Sequence, residues 1–169
     1  MSDSELINIV SKDDEIIGVE KRSIVHEKKL NFRGVNAFII NTQGELWIPR
    51  RHPQKTLFPL HLDASVGGHV LAYESYDEAF ARETKEETNI DICAVPHKTI
   101  GRLTPYQHGT SAFIYVYAIY QNIEPTYNKK DFIEAYWLSP TQLLQLIENG
   151  EKAKGDLPII IRYLQKQLS

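Results

Sequence analysis

The chain has 169 residues, of which 42% are hydrophobic and 24% charged. That suits a single soluble domain spanning residues 1–169, long enough to bury a sizeable core. Its net charge of −3 comes with no strong basic run, which excludes a long nucleic acid as the expected partner. No apolar stretch approaches a membrane span and the N-terminus lacks a signal-peptide core; the one cysteine, Cys93, cannot form an internal disulfide, so a reducing cytoplasm is the expected setting.

In chain order, residues 5–10 (ELINIV) and 15–19 (EIIGV) predict two short strands turning through Lys12-Asp13-Asp14. A short helix follows near residues 22–26. Residues 33–41 (RGVNAFIIN) are rich in β-formers and end at a Gln43-Gly44 turn, with residues 45–51 (ELWIPRR) as the return strand. Residues 62–68 lead into a helix over 75–88, and 92–103, 111–121 and 132–138 are further strands. Ser139-Pro140 starts a helix that runs to about Glu148 and ends at Asn149-Gly150, because serine caps well and proline suits the first helical position. A last helix covers residues 158–167.

The helix over 75–88 carries the chemistry. Ser75 and Glu78 form a capping-box pair at its start. At about 100° per residue, Glu83, Glu86 and Glu87 fall on one face. Three like charges there weaken an isolated helix. A hard divalent cation such as Mg²⁺ or Mn²⁺, which prefers oxygen ligands, would relieve that repulsion. The cluster therefore reads as a metal site.

The run from Gly68 to Ile90 resembles the Nudix box of hydrolases that cleave diphosphates linked to another group. The match holds at Gly68, Glu74, Arg82, Glu83, Glu86, Glu87 and Ile90. It departs at Thr84, where the family usually has an aliphatic residue, and at Asn89, where it has glycine. Asn89 is a mild change because asparagine tolerates the left-handed helix end; Thr84 keeps the β-branched shape and is expected to lose some burial. The resemblance implies an α/β/α sandwich with a mixed sheet. The opening DDEIIGVEKRSIVH, the LWIPRR strand and the LHLDASVGGH approach look most like the branch holding type 1 isopentenyl diphosphate isomerase and its hydrolase-like relatives.

Diphosphate hydrolysis asks for charge neutralisation, an activated water and an oriented leaving group. Glu83 and Glu87 are the first candidates for metal ligands, and Glu86 is either a third ligand or the base. Gly68 permits close backbone approach, and its carbonyl is a further candidate ligand. The resemblance implies supporting roles for Arg82 and Glu74. Arg50 and Arg51 end a strand where the family tends to carry arginine. They alternate in direction, and Arg51 is the favoured phosphate contact. Pro49 places that strand end at a sheet edge or a bulge. His69 follows Gly68, where the isomerases place a metal-binding histidine, and is taken with Arg51 as a substrate-side residue. Tyr106 and His108 lie on a loop expected near the pocket mouth.

The expected reaction is metal-dependent hydrolysis of a nucleoside diphosphate derivative or a related small organic diphosphate. Isomerisation is the rival: its acid cysteine would precede the Gly-His pair, and that position is Gly67. A non-catalytic sensor of a diphosphate ligand is a third reading, and a homodimer is left open.

Overall fold

The computed structural model describes residues 3–169. A two-stranded antiparallel sheet pairs β1 (Leu6–Val10) with β2 (Ile16–Lys21), and α1 (Arg22–Glu27) follows it. The main sheet is mixed. Its strands are β3 (Arg33–Ile40), β4 (Leu46–Arg51), β5 (Val66–His69), β6 (His97–Leu103), β7 (Phe113–Tyr120) and β8 (Phe132–Leu138), ordered β6-β7-β3-β4-β8 with β5 also pairing β3. Only β3 and β7 run parallel; the other neighbours are antiparallel.

Alternation along β3 divides the core between two layers. Val35, Ala37 and Ile39 face α2 (Tyr76–Thr88) and pack with Trp47, Phe80 and Tyr117. Phe38 and Ile40 face the opposite layer, α4 (Pro140–Glu148) and α5 (Leu157–Leu168), and pack with Leu143, Ile161 and Leu164. Helices therefore cover both faces of the sheet, the sandwich the resemblance implied. No helix among the described residues is long and apolar enough to cross a membrane.

One irregularity positions the site. The edge of β3 is shared: Gly34–Ala37 pairs with β5, whereas β4 meets β3 only at Ile40 and Leu46. Where the strands splay, the Ser65 hydroxyl accepts the Ile39 N–H at 2.9 Å and donates to the Trp47 carbonyl at 2.5 Å. One side chain thus satisfies two backbone groups that the ladder leaves open. The split makes room for β5 to pair with β3 over α2.

Two local expectations need correction. Residues 92–103 are not one strand: Asp91 accepts the Cys93 N–H at 3.0 Å, making a 3-10 turn over Ile92–Ala94, and only His97–Leu103 is extended. Residues 105–108 are not loop but a single helical turn, α3 (Pro105–His108), capped by Thr104. The end of β4 at Pro49 is as expected: β4 meets β3 only at Leu46, so Pro49 has β8 alone as its ladder partner, and a register shift against β8 falls between Arg50 and Arg51.

Candidate active site

Helix α2 is built as its local sequence dictates. The Ser75 hydroxyl accepts the Glu78 N–H at 3.1 Å and the Glu78 carboxylate accepts the Ser75 N–H at 2.8 Å. Asp77 and Glu78 in the first turn and Lys85 in the last complement the helix dipole. Asn89 ends the helix at φ 59°, in the left-handed region. Thr84 is a correction: it loses no burial at all, being fully buried, and its hydroxyl has no hydrogen-bond partner.

The buried face of α2 includes Glu83 and Glu87 as well as Ala79 and Phe80. Strand β5 crosses this face. A Cβ on Gly68 would stand 2.1 Å from the Glu83 carboxylate, so no side chain fits there. The Gly67 N–H donates to Glu87 at 2.9 Å. Glu86 is different, with a side chain 55% exposed against 3% for Glu83.

Arg82 ties the cluster together. Its guanidinium grips Glu74 with two bonds, at 2.7 and 3.0 Å, and donates to Glu83 at 2.8 Å and to the His69 carbonyl at 3.0 Å. Glu86 lies at 3.4 Å from it. Glu74 also accepts the Leu71 N–H at 2.9 Å, which fixes the loop before the helix. One cation thus serves three carboxylates, and among the described residues Glu87 has only a backbone donor. Burial pushes the Glu83 carboxyl up to about 7, against the opposing pull of Arg82. Burial, and then repulsion from Glu83, raises Glu87 as well.

That imbalance of charge, in hard oxygen donors, fits a divalent cation. Among the described residues no three such groups already converge on one point. Glu83 is turned to Arg82 and Glu87 to Gly67, so both carboxylates would re-aim on binding.

His69 points away from this cluster. Gly68 faces Glu83, so by alternation its neighbour faces the other side of β5. There the His69 ring stacks on Phe32, with centroids 5.1 Å apart, and its Nε2 lies 2.8 Å from that of His26. Burial, then the Arg22 charge, lowers His69 to about 2, and the same two causes lower His26. The two rings share one hydrogen bond, and burial disfavours a charge on either.

Arg51 bonds Asp63 at 2.8 Å and the Leu57 carbonyl at 3.1 Å. Burial works to raise the fully enclosed Asp63, but the Lys154 and Arg51 charges outweigh it and hold the carboxyl low. Arg50 is engaged elsewhere, with Glu134 and Glu151 each at 2.7 Å. Lys55 pairs with Asp131 at 2.6 Å. Asp63 and Asp131 both add to the repulsion felt by Glu87, so the Arg51 and Lys55 pairs flank that glutamate. Sequence reasoning missed Lys55 and Asp63. Lys55, four residues after Arg51 in a loop, was the available signal.

Known proteins of similar sequence and structure belong to one family. A sequence profile of the NUDIX domain matches residues 30–160. An uncharacterised Nudix hydrolase of Nostoc sp. is 49% identical over 93% of this chain and 94% of its own. A Nudix hydrolase of Deinococcus radiodurans is 42% identical, covering 94% of this chain and 92% of its own. A Deinococcus radiodurans crystal structure, 42% identical, superposes with a TM-score of 0.89 over 94% of this chain and 98% of that one.

Proposed function

The chain belongs to the NUDIX family and is a Nudix pyrophosphohydrolase; from that premise we propose that it uses Mg²⁺ or Mn²⁺ to cleave a diphosphate linkage in a nucleoside diphosphate derivative or a related small organic diphosphate. The observation that carries the proposal is the single guanidinium shared by Glu74, Glu83 and Glu86, beside a buried Glu87 with no cation of its own. Glu83 and Glu87 hold the ion, with Glu86 and the Gly68 carbonyl as further donors. Bound there, the ion supplies charge neutralisation and a more acidic water.

In the reaction, a water oxygen forms a new bond to phosphorus, the bridging P–O bond breaks, and the water proton goes to a base. Glu86, as the exposed carboxylate, serves as that base where it is not itself a ligand. Arg82 and Glu74 hold Glu83 and the β5 backbone in place. Arg51, an arginine with planar fork geometry, exchanges Asp63 for a phosphate. His69, on the far side of β5 from the glutamates, is assigned to the group attached to the diphosphate and not to the diphosphate itself.

The isomerase reading has a physical obstacle. Gly67 has no side chain to act as the acid, and the tip of the Asn36 carboxamide lies 2.6 Å from where its Cβ would stand. Incubation with isopentenyl diphosphate and Mg²⁺ in D₂O should yield neither dimethylallyl product nor deuterium incorporation; either would overturn the assignment. For hydrolysis, the test is phosphate release from a panel of diphosphates with Mg²⁺, Mn²⁺ or excess chelator. Turnover abolished by chelation and restored by either ion is expected. Undiminished turnover in chelator would sink the metal assignment.

A further inference from the structure

Beside Arg51 the backbone joins three short segments. Residues 61–63 run antiparallel to the end of β4: the Arg51 N–H donates to the His61 carbonyl at 2.9 Å and the Asp63 N–H to the Pro49 carbonyl at 3.0 Å. Residues 152–154, between α4 and α5, run parallel to the same segment. The Leu62 N–H donates to the Lys152 carbonyl and the Lys154 N–H to the Leu62 carbonyl, each at 2.9 Å. Leu62 is thus bridged to Arg50 on one side and to Ala153 on the other, and the parallel register sets Asp63 beside Lys154.

Alternation then sorts the side chains. Arg50, Leu62 and Ala153 lie on one face, where Leu62 and Ala153 pack into the core covered by α4 and α5. Arg51, Asp63 and Lys154 lie on the other. One buried carboxylate is therefore approached by two cations from distant parts of the chain. The bonded one is Arg51, at 2.8 Å, while half-buried Lys154 acts at longer range. Burial opposes the Asp63 charge, and the Lys154 charge offsets that opposition ahead of the Arg51 charge. Asp63 is also near enough to Glu87 to add to its repulsion, so this joint flanks the glutamate cluster.

We propose that Lys154 is a positioning residue that keeps Asp63 paired when Arg51 leaves it to grip a phosphate of the substrate. The proposal rests on the hydrolytic reading, in which Arg51 makes that exchange. The exchange carries a physical problem, because a fully enclosed carboxylate left without a cation is strongly unfavourable. Lys154 answers it. Its flexible four-carbon stem lets the ammonium close on Asp63 as the guanidinium turns away. Asp63 then serves as an internal stand-in for phosphate that holds the Arg51 fork ready, and Lys154 makes the stand-in easy to displace.

The test is binding of inorganic diphosphate in the presence of Mg²⁺, followed by isothermal titration, so it does not require turnover. Lys154→Met, which keeps the stem and loses the charge, should weaken binding ~5-fold or more, the low end of a coupling between two sites. Lys154→Arg should bind as the parent does. Asp63→Asn, isosteric and uncharged, should bind no more weakly than the parent, since Arg51 is released. The deciding variant combines Asp63→Asn with Lys154→Met, and it should match Asp63→Asn within about twofold, because the partner of Lys154 is already gone. In turnover assays Lys154→Met should raise KM with kcat unchanged, a split that loss of folded protein would not give. A parent that does not bind inorganic diphosphate, or an unchanged affinity in Lys154→Met, would overturn the proposal. So would a Lys154→Met loss that persists in the Asp63→Asn background, which would make Lys154 a direct phosphate contact. If the binding pattern holds and no diphosphate of the panel is hydrolysed, the hydrolytic reading fails and the role of Lys154 stands.

Discussion

Helix α2 joins two ionic hubs of opposite composition. At its start, one buried carboxylate, Asp14, accepts from Arg33 at 2.7 Å, from the Tyr76 hydroxyl at 2.8 Å and from Arg102 at 2.9 Å. Farther along, one guanidinium, Arg82, serves Glu74, Glu83 and Glu86. The first hub has more cations than anions and every Asp14 oxygen bonded. It acts as a clamp between the β1–β2 turn, β3, β6 and α2. The second has more anions than cations, with two of its carboxyls raised by burial. Similar ionic chemistry gives a closed structural joint in one case and a site that invites a cation in the other. The difference lies in which sign is left over.

The sharpest way to break this comparison is to neutralise each hub in turn. Glu83→Gln or Glu87→Gln should lower kcat by at least ~10²-fold, as expected for lost metal-assisted water activation. With metal chelated, the same variants should melt no lower than the parent, because an unfavourable buried charge is gone. The pH dependence has a definite sign. Glu83 is raised in the folded state from 4.5 to about 7, so folding favours its protonated form. The chelated protein should therefore gain stability as pH falls from about 7 toward 4.5, and Glu83→Gln should flatten that limb. Denaturant unfolding across this window is the check, and a parent limb that declines instead would refute the charge excess.

Asp14→Asn tests the other hub. Removing the shared anion leaves two arginines facing each other, and the cost should be about 2–3 kcal/mol. That is less than the ~3–5 kcal/mol of a fully buried pair because the Arg102 side chain is 40% exposed. A loss below about 0.5 kcal/mol in urea unfolding would mean that Asp14 does not clamp the layers.

A smaller effect separates the two arginines of β4. Arg51→Lys should raise KM several-fold, since lysine lacks the fork that grips phosphate. Arg50→Lys should leave KM nearly unchanged, because that side chain is committed to Glu134 and Glu151. The reverse pattern would move the phosphate contact to Arg50. Smallest of all, Thr84→Val should raise stability by about 1 kcal/mol, since a buried hydroxyl without a partner is replaced by a methyl of the same shape. A lower melting temperature in that variant would show that the hydroxyl is satisfied after all.

Legibility in the sequence followed the range of the interactions. The capping box of Ser75 and Glu78, the left-handed Asn89 and the shared face of Glu83, Glu86 and Glu87 depend on residues within four positions of one another, and all could be read directly. The turn at Ile92–Ala94 was missed although its cause is also local. The Asp91 side chain competes for the backbone where β-forming residues suggested a strand. Thr84 looked partly exposed because hydropathy at one position says nothing of the strand laid over it.

By itself the sequence determined a mixed α/β sandwich, a capped helix with three glutamates on one face, and a glycine that permits close backbone approach, because periodicity and capping are properties of short stretches. The tertiary structure alone decided the rest. It set the excess of anions around Arg82, the approach of Asn36 to Gly67, the turn of His69 toward His26, and the register that sets Lys154 beside Asp63. Each depends on residues tens of positions apart, whose meeting is fixed by strand order and by the splaying of β5 from β4.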